Sequence, residues 1–161
     1  MKYSRQQLSI LGIVAITAFM WTFLISLVNI ALPAIEKKIG LNAIALNWVI
    51  TTFLLAMGVF LLPVGRLGDL TGIRRMFKIG VILFTLASLA CGFAPSGTWL
   101  IILRLFQGIG AALTSTTGTA ILVSSFSPKY RGRLLGMSVA AVYLGLAFGP
   151  FAGGIITQYL G

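Results

Sequence analysis

Residues 99–123 read WLIILRLFQGIGAALTSTTGTAILV, a run of apolar and small residues with one full charge, Arg104. A helix that crosses a bilayer needs about 20 such residues, so this run is long enough. A guanidinium is always protonated, and placing one at the centre of a membrane helix costs roughly 2.5–3.5 kcal/mol. Either the run is not a membrane helix, or Arg104 lies near the bilayer surface, or it has an interior role.

The composition decides the first alternative. Of 161 residues, 58% are hydrophobic and 9% are charged, and the mean hydropathy is +1.05. A soluble domain carries about a quarter of its residues as charges, so the sequence predicts a membrane protein. The chain has 12 basic residues and only two acids. The basic residues occupy short segments between apolar runs, which argues against a nucleic-acid partner.

The single cysteine, Cys91, lies in an apolar run and is expected to be a packing residue.

The hydropathy pattern predicts an all-α, polytopic membrane protein with five transmembrane helices. The first is too long for a signal peptide and lacks a small-residue cleavage site, so it is expected to be retained and to end at Pro33. The segments between the second and third and between the fourth and fifth are expected to be cytoplasmic loops. The predicted helices are residues 8–32, 43–64, 77–93, 99–123 and 134–160, and the predicted loops are residues 65–76 and 124–133.

Basic residues alternate between the two ends of these helices. Lys37 and Lys38 lie at one end, where Glu36 offsets them. The positive-inside rule places the richer end, and with it the N-terminus, in the cytoplasm of a cell that carries the protein in its plasma membrane. Five crossings would leave Gly161 on the outer face, so we expect a fragment of a longer protein. The basic residues of the richer end are Lys2, Arg5, Arg66, Arg74, Arg75, Lys78, Lys129, Arg131 and Arg133.

The helical period places Arg104 on one face of the fourth helix together with small and polar residues. Phe106, Ile109 and Leu113 lie on the opposite face. Two interpretations remain: Arg104 extends to the nearby outer interface, or it faces a cavity or a partner helix, which the small residues favour. The residues that share its face are Gln107, Gly108, Ala111, Ser115 and Gly118.

Two further stretches combine glycine with unusual residues. In GLAFGPFAGG (residues 145–154) Pro150 removes a helical hydrogen bond, which predicts a helix that bends or slides, although plain small-residue packing is the alternative. In GRLGDLTGIRRMF (residues 65–77) one of the two acids, Asp69, lies among arginines and glycines. This pattern predicts either a salt-bridged latch or an ordinary basic loop.

Five motifs in order along the chain resemble those of the major facilitator superfamily. GRLGDLTGIRR resembles the family's loop motif, LRLFQGIGAA its fourth-helix motif and GLAFGPFAGG the fifth-helix motif of its antiporters. SLVNIALPAI resembles a first-helix motif of the fourteen-helix drug:proton antiporters, and SPKYRGRLLG the family's loop after helix four. The resemblance implies two six-helix halves, each an inverted pair of three-helix units, of which this chain would supply five helices of the N-terminal half.

The resemblance also implies roles for particular residues. A gate loop on the cytoplasmic side would contain Gly65, Asp69, Gly72, Arg74 and Arg75. The transport cavity and the coupling site would contain Asn29, Arg104, Gln107 and Gly108. The bend of the antiporter helix, at the interface between the halves, would contain Gly145, Gly149, Pro150, Gly153 and Gly154. No cofactor and no metal site is implied.

The sequence also departs from the family's pattern. Leu24 stands where the drug:proton antiporters have an aspartate, and Leu70, Ile73 and Tyr130 replace charged residues of the loop motifs. No Asp, Glu or His lies within the predicted helices, so either a proton carrier lies elsewhere in the protein or the coupling differs from that of the drug:proton antiporters.

The expected function is efflux of drug-like or hydrophobic small molecules, with the lipid bilayer, the substrate and the C-terminal half as partners. The alternatives are a nutrient symporter of the same fold and a non-transporting assembly subunit. An enzyme is not expected, because no nucleophile–base pair, metal-ligand spacing or phosphate-binding loop is present.

Overall fold

The structure, a computed structural model, describes residues 4–160, without the side chains of residues 37–39, 159 and 160. It confirms the predicted all-α fold with five helices, each long and apolar enough to cross a membrane. The described residues form no strand. The helices are α1 (Arg5–Ile39), α2 (Ala43–Thr71), α3 (Ile73–Gly92), α4 (Gly97–Ser125) and α5 (Pro128–Leu160).

The first helix is longer than predicted at both ends. Ser4 caps its N-terminus in a reciprocal pair with Gln7, whose backbone N–H donates to Ser4 Oγ at 3.2 Å while its Oε1 accepts from Ser4 N at 3.1 Å. The helix continues through Pro33, because one proline removes a single helical hydrogen bond. It ends where Gly40 adopts a left-handed conformation, with φ of 69°. The prediction that Pro33 ends the helix was therefore wrong.

The predicted loops 65–76 and 124–133 are mostly helical. Between α2 and α3 the described backbone leaves the helical conformation only at Gly72, whose φ of 99° is one that L side chains rarely adopt. Between α4 and α5 only residues 126 and 127 are non-helical, and Pro128 begins the new helix, a position where its missing N–H costs nothing. Hydropathy marks the part of a helix that lies in hydrocarbon, and helices continue beyond it.

The fourth helix is the most enclosed of the five. Of its most apolar stretch 56% is buried, against 17–22% in the other helices. Close approach at two glycines explains this enclosure: a Cβ at Gly108 would lie 2.9 Å from Ala56 Cβ of α2, and one at Gly110 would lie 2.7 Å from Phe84 N of α3. One core cluster contains Leu11, Val14, Phe77, Ile121, Leu122, Phe126 and Leu134. The other contains Phe53, Phe84 and Ala111.

The face of α4 opposite Arg104 is only partly exposed. Phe106 is exposed, but Leu113 is only 5% exposed and lies beside Gly80 of α3. The helical period shows that Leu113 and Arg104 lie on different faces, but it does not show which faces have neighbours. The helix has α2 on one side and α3 on another.

Candidate functional site

Arg104 lies inside the bundle. It is seven residues from the start of α4, its side chain is 4% exposed, and its guanidinium carbon lies 6.0 Å from the centroid of the Phe53 ring. That distance is at the outer limit of a cation–π interaction. The structure therefore agrees with the interior alternative for Arg104 rather than with extension to the bilayer surface.

The charge of Arg104 has little compensation within residues 4–160. Its Nε is buried without a hydrogen-bond partner. The two acids, Glu36 and Asp69, are exposed in the last turns of α1 and α2. A charge removed from water without a partner is costly, and in membrane proteins such groups mark functional sites.

A hollow where α1, α2 and α4 meet brings Arg104 together with Asn29. Its volume is about 10 Å³, roughly the space that one water molecule occupies. Two of the four predicted cavity residues thus lie at one place, although they are far apart in the sequence. The hollow is lined by Ile25, Val28, Asn29, Ile50, Phe53, Leu54 and Arg104.

Gln107 and Gly108 do not line this hollow. Gln107 Nε2 donates to Ser88 Oγ of α3 at 2.7 Å, and Ser88 Oγ donates to the Phe84 carbonyl at 2.6 Å. Gln107 Oε1 is buried without a partner. Gly108 allows the close approach of α2 described above, which places Phe53 beside Arg104.

A larger groove, of about 200 Å³, lies between α1, α4 and α5. It combines one tryptophan with five hydroxyl side chains, and the sequence did not predict it. The available signal was the occurrence of Ser115 and Ser138 on the small-residue faces of α4 and α5, but the sequence alone does not show that these faces meet. The groove is lined by Val14, Thr17, Ala18, Trp21, Thr114, Ser115, Thr119, Ser138, Val139 and Val142.

Three of the five predicted bend residues pack against α1 of the same chain. A Cβ at Gly145 would meet Thr22, one at Gly149 would lie 3.0 Å from Leu27 N, and one at Gly153 would lie 3.1 Å from Leu27 O. The predicted place of the bend at the interface between the two halves stays a prediction, since this chain shows only the contacts of these three glycines with α1. They are buried because their lack of side chains lets α1 and α5 come together.

The other two bend residues are less enclosed. Pro150 is exposed, and a Cβ at Gly154 would meet no atom within 4 Å. Pro150 has no N–H, so the Leu146 carbonyl four residues earlier loses its helical donor. Ser26 of α1 replaces that donor: its Oγ donates to Leu146 O at 3.0 Å. Nothing in the sequence around Ser26 marks it as a functional candidate.

The predicted gate residues gather where α2 meets α3. Asp69, Gly72, Arg74 and Arg75 line one open groove with Ile121 and Ser124 of α4. Over residues 4–160, however, Asp69 forms no ion pair with an arginine, so no salt-bridged latch forms among these described residues. Gly65 lies apart from the groove and faces Thr116 of α4.

Five helices, each long and apolar enough to cross a membrane, enclose a charge that has no ion-pair partner among residues 4–160, and they form a groove lined by hydroxyl groups. This is the architecture of a polytopic membrane protein. The family comparison agrees: the model of the Major Facilitator Superfamily matches residues 14–161. The chain belongs to this superfamily, whose members are membrane transporters and not enzymes. The recognition made from the five motifs is confirmed.

Two curated relatives and one solved structure illustrate the similarity. The chain is 34% identical over 157 residues to the riboflavin transporter RibZ of Clostridioides difficile, covering 98% of this chain and 34% of RibZ. It is 38% identical over 159 residues to the multidrug resistance protein Stp of Mycobacterium tuberculosis, covering 98% of this chain and 30% of Stp. The chain therefore spans about a third of the length of these relatives.

The solved structure is a bacterial homolog of the human lysosomal transporter Spinster, in an inward-facing and unoccupied conformation. The TM-score is 0.86 over 96% of this chain and 33% of that one, at 18% sequence identity. This likeness concerns the fold alone.

Proposed function

We propose that this chain forms the N-terminal part of a secondary transporter that exports drug-like or hydrophobic small molecules. The observation that carries the proposal is the buried charge of Arg104, which has no acidic partner among the described residues and lines a hollow together with Asn29. A membrane protein keeps such a costly desolvated charge where the charge is used.

The groove between α1, α4 and α5 supports a substrate of this chemical type. Apolar side chains with a few hydrogen-bonding groups are the usual lining of small-molecule sites, and Trp21, Thr17 and Ser115 provide both kinds here. The relative that is named for multidrug resistance points in the same direction.

Proton coupling would require a titratable group from outside the described helices. Between their end turns these helices contain no Asp, Glu or His, and an arginine keeps its proton under all physiological conditions. In this proposal Arg104 and Asn29 respond to a proton carried elsewhere, while Gln107 and Gly108 hold α3 and α2 in place around them.

The gate residues are proposed to act on the rest of the transporter. Asp69, Arg74 and Arg75 are exposed around an open groove and form no pair with one another in the described chain. Their charges are therefore free to contact another part of a longer protein. Pro150 and Gly154, which α1 leaves uncovered, are proposed to face that part as well.

Asp69→Asn tests the gate. We expect it to slow transport by the complete protein about tenfold or more, because a charge-assisted contact is worth about 1.5 kcal/mol or somewhat more, while ligand binding stays nearly unchanged. Rates in cells and binding to purified protein are the two measurements. Glu36→Gln, at the opposite end of the bundle, is the control. Equal loss of binding and of rate for Asp69→Asn would count against the gate.

We also propose that the N-terminus lies in the cytoplasm. Gln7 Nε2 at the start of α1 donates to Ser125 O at the end of α4 at 3.2 Å, so the basic segments that follow α2 and α4 share one end of the bundle with Arg5. A fluorescent protein that folds only in the cytoplasm, fused to residue 1, should be bright. A dark fusion with normal expression would reverse the topology.

Export is tested with the complete protein in bacterial cells that lack their own drug exporters. The cells are loaded with ethidium, energised and followed by fluorescence, and riboflavin uptake is measured in a riboflavin auxotroph. Energy-dependent loss of ethidium that Arg104→Ala removes is the expected result. Riboflavin uptake without ethidium efflux would instead favour the nutrient symporter, for which the similarity to RibZ is the specific observation.

A further inference from the structure

The contact between α1 and α5 contains a hydrogen bond that replaces one lost to proline. In an unbroken helix the N–H of residue 150 would donate to the Leu146 carbonyl, but Pro150 has no N–H. Ser26 Oγ donates to that carbonyl from the neighbouring helix at 3.0 Å. A buried carbonyl without a donor in a membrane costs several kcal/mol in hydrocarbon, so the replacement has a clear energetic reason.

The backbone at this point is arranged for the replacement. Ser26 is 9% exposed, so it lies largely out of reach of bulk water. Gly149 lies against it: a Cβ there would be 2.8 Å from Ser26 Oγ. The glycine therefore creates the space in which the hydroxyl reaches the carbonyl beside the proline.

We propose that Ser26 is a positioning residue of the transport cycle, which fixes the register of the proline-interrupted part of α5 on α1. The neighbouring residues Ile25, Val28 and Asn29 line the hollow at Arg104. The helix α1 therefore supplies both the bond to α5 and one wall of that hollow. A shift of α5 along α1 that breaks the bond at Ser26 changes the support of this wall. The link to transport rests on the proposed function, whereas the hydrogen bond itself does not.

Thr22 provides a matched control at the same interface. It lies one turn before Ser26, is 1% exposed and lies against Gly145 as Ser26 does against Gly149. Its hydroxyl donates to the Ala18 and Phe19 carbonyls of its own helix, at 2.9 Å and 3.0 Å. Thr22→Val removes a buried hydroxyl of the same interface that has no relation to Pro150.

The test is a double-mutant cycle of Ser26→Ala and Pro150→Ala in the complete protein, measured as Tm in detergent micelles. We expect Ser26→Ala alone to lower Tm by about 2–4 °C, because it leaves the Leu146 carbonyl without a donor. With Pro150→Ala the new N–H at position 150 donates to that carbonyl, so adding Ser26→Ala has no further effect. Thr22→Val should shift Tm equally in both backgrounds.

A Ser26→Ala shift that is equal in the two backgrounds, or absent from both, would overturn the proposal. Ethidium efflux is the second readout: Ser26→Ala should slow it about fivefold or more at unchanged protein level, and Pro150→Ala should abolish that dependence on Ser26. Normal efflux by Ser26→Ala with a coupled Tm would overturn the role in transport. The Tm cycle needs no substrate, so a protein that exports no probe contradicts the proposed function and still leaves the coupling to be decided.

Discussion

Two buried polar side chains of this molecule, Ser26 and Arg104, differ in how their hydrogen-bonding groups are satisfied. The hydroxyl of Ser26 has a partner in the Leu146 carbonyl, whose own helical donor is missing. Arg104 is more deeply buried and charged, yet its Nε has no partner in the described chain. Unsatisfied polar groups are rare in protein interiors, so the bond of Ser26 is explained by structure, whereas the unpaired Nε of Arg104 is what supports the proposed role in transport.

The helices around the two sites also pack differently. Along α5, glycines at four-residue steps bring a single partner, α1, into close contact. On α4, Gly108 and Gly110 admit two partners on different sides, and the space left between α1, α2 and α4 holds the charge. The α1–α5 contact is thus a single close-packed interface, whereas α4 has neighbours on several sides and leaves, beside Arg104, a hollow about the size of one water molecule.

The largest effect is expected from replacing Arg104. Arg104→Ala should reduce transport by the complete protein at least about tenfold and leave its amount in the membrane nearly unchanged. Arg104→Met, which keeps most of the volume, should be at least as stable as the unmodified protein, because an uncompensated buried charge is replaced by apolar atoms. Efflux rates and Tm are the measurements.

A loss of stability in the Arg104 variants would mean that Arg104 and Ser26 do not differ in kind, since both would then be structural. If Arg104→Met lowered Tm strongly and the protein failed to accumulate, the arginine would be a structural residue. Arg104→Lys provides a further control: it keeps the charge without the planar fork of donors, so recovery of transport would show that charge alone suffices.

A smaller effect, on stability, is expected from Gly149→Ala. The added Cβ would lie 2.8 Å from Ser26 Oγ and 3.0 Å from Leu27 N, and overpacking of this kind costs typically about 1–3 kcal/mol. Gly136→Ala in the same helix is the matched control, because a Cβ there meets nothing within 4 Å and alanine is the better helix former. Tm of the two variants in micelles decides, and equal shifts would mean that α1 and α5 do not pack as described.

Much of this architecture could be predicted from the sequence, because it follows from local patterns. Apolar runs specify the number of helices, and the motifs alone are enough to assign Arg104 and Asn29 to one site. The helix ends at Thr71 and Ile73 could not be predicted from hydropathy, since it reports the thickness of the bilayer rather than the length of a helix.

The features that the sequence missed depend on contacts between distant residues. Ser26 and Leu146 are 120 residues apart, and nothing near Ser26 indicates that a proline on another helix frees a carbonyl for it. The burial of Leu113 could not be predicted, because the helical period shows which residues share a face but not how many faces are covered. The ion pair expected for Asp69 was missed for another reason: Arg74 and Arg75 are close to it in sequence, but closeness in sequence does not determine where side chains lie.

The smallest effect is expected at the hydrogen bond between Gln107 of α4 and Ser88 of α3. Ser88→Ala removes the acceptor of Gln107 Nε2. Since Gln107 Oε1 already lacks a partner, the whole buried amide would then be without a side-chain hydrogen bond. We expect a cost of about 1 kcal/mol, which is typical of one neutral hydrogen bond. Gln107→Leu should cost less, because the polar amide disappears as a whole while Ser88 keeps its bond to the Phe84 carbonyl.

Efflux separates the structural and functional roles of Gln107 in the same pair of variants. If the amide only holds α3 against α4, both variants should transport at rates that follow their Tm values. If Gln107 takes part in coupling, Gln107→Leu should lose transport despite its higher Tm, and Ser88→Ala should retain it despite its lower one. Gln107 would then have a functional role like that proposed for Arg104. In the opposite case its role would be to hold two helices together, as the hydrogen bond of Ser26 does.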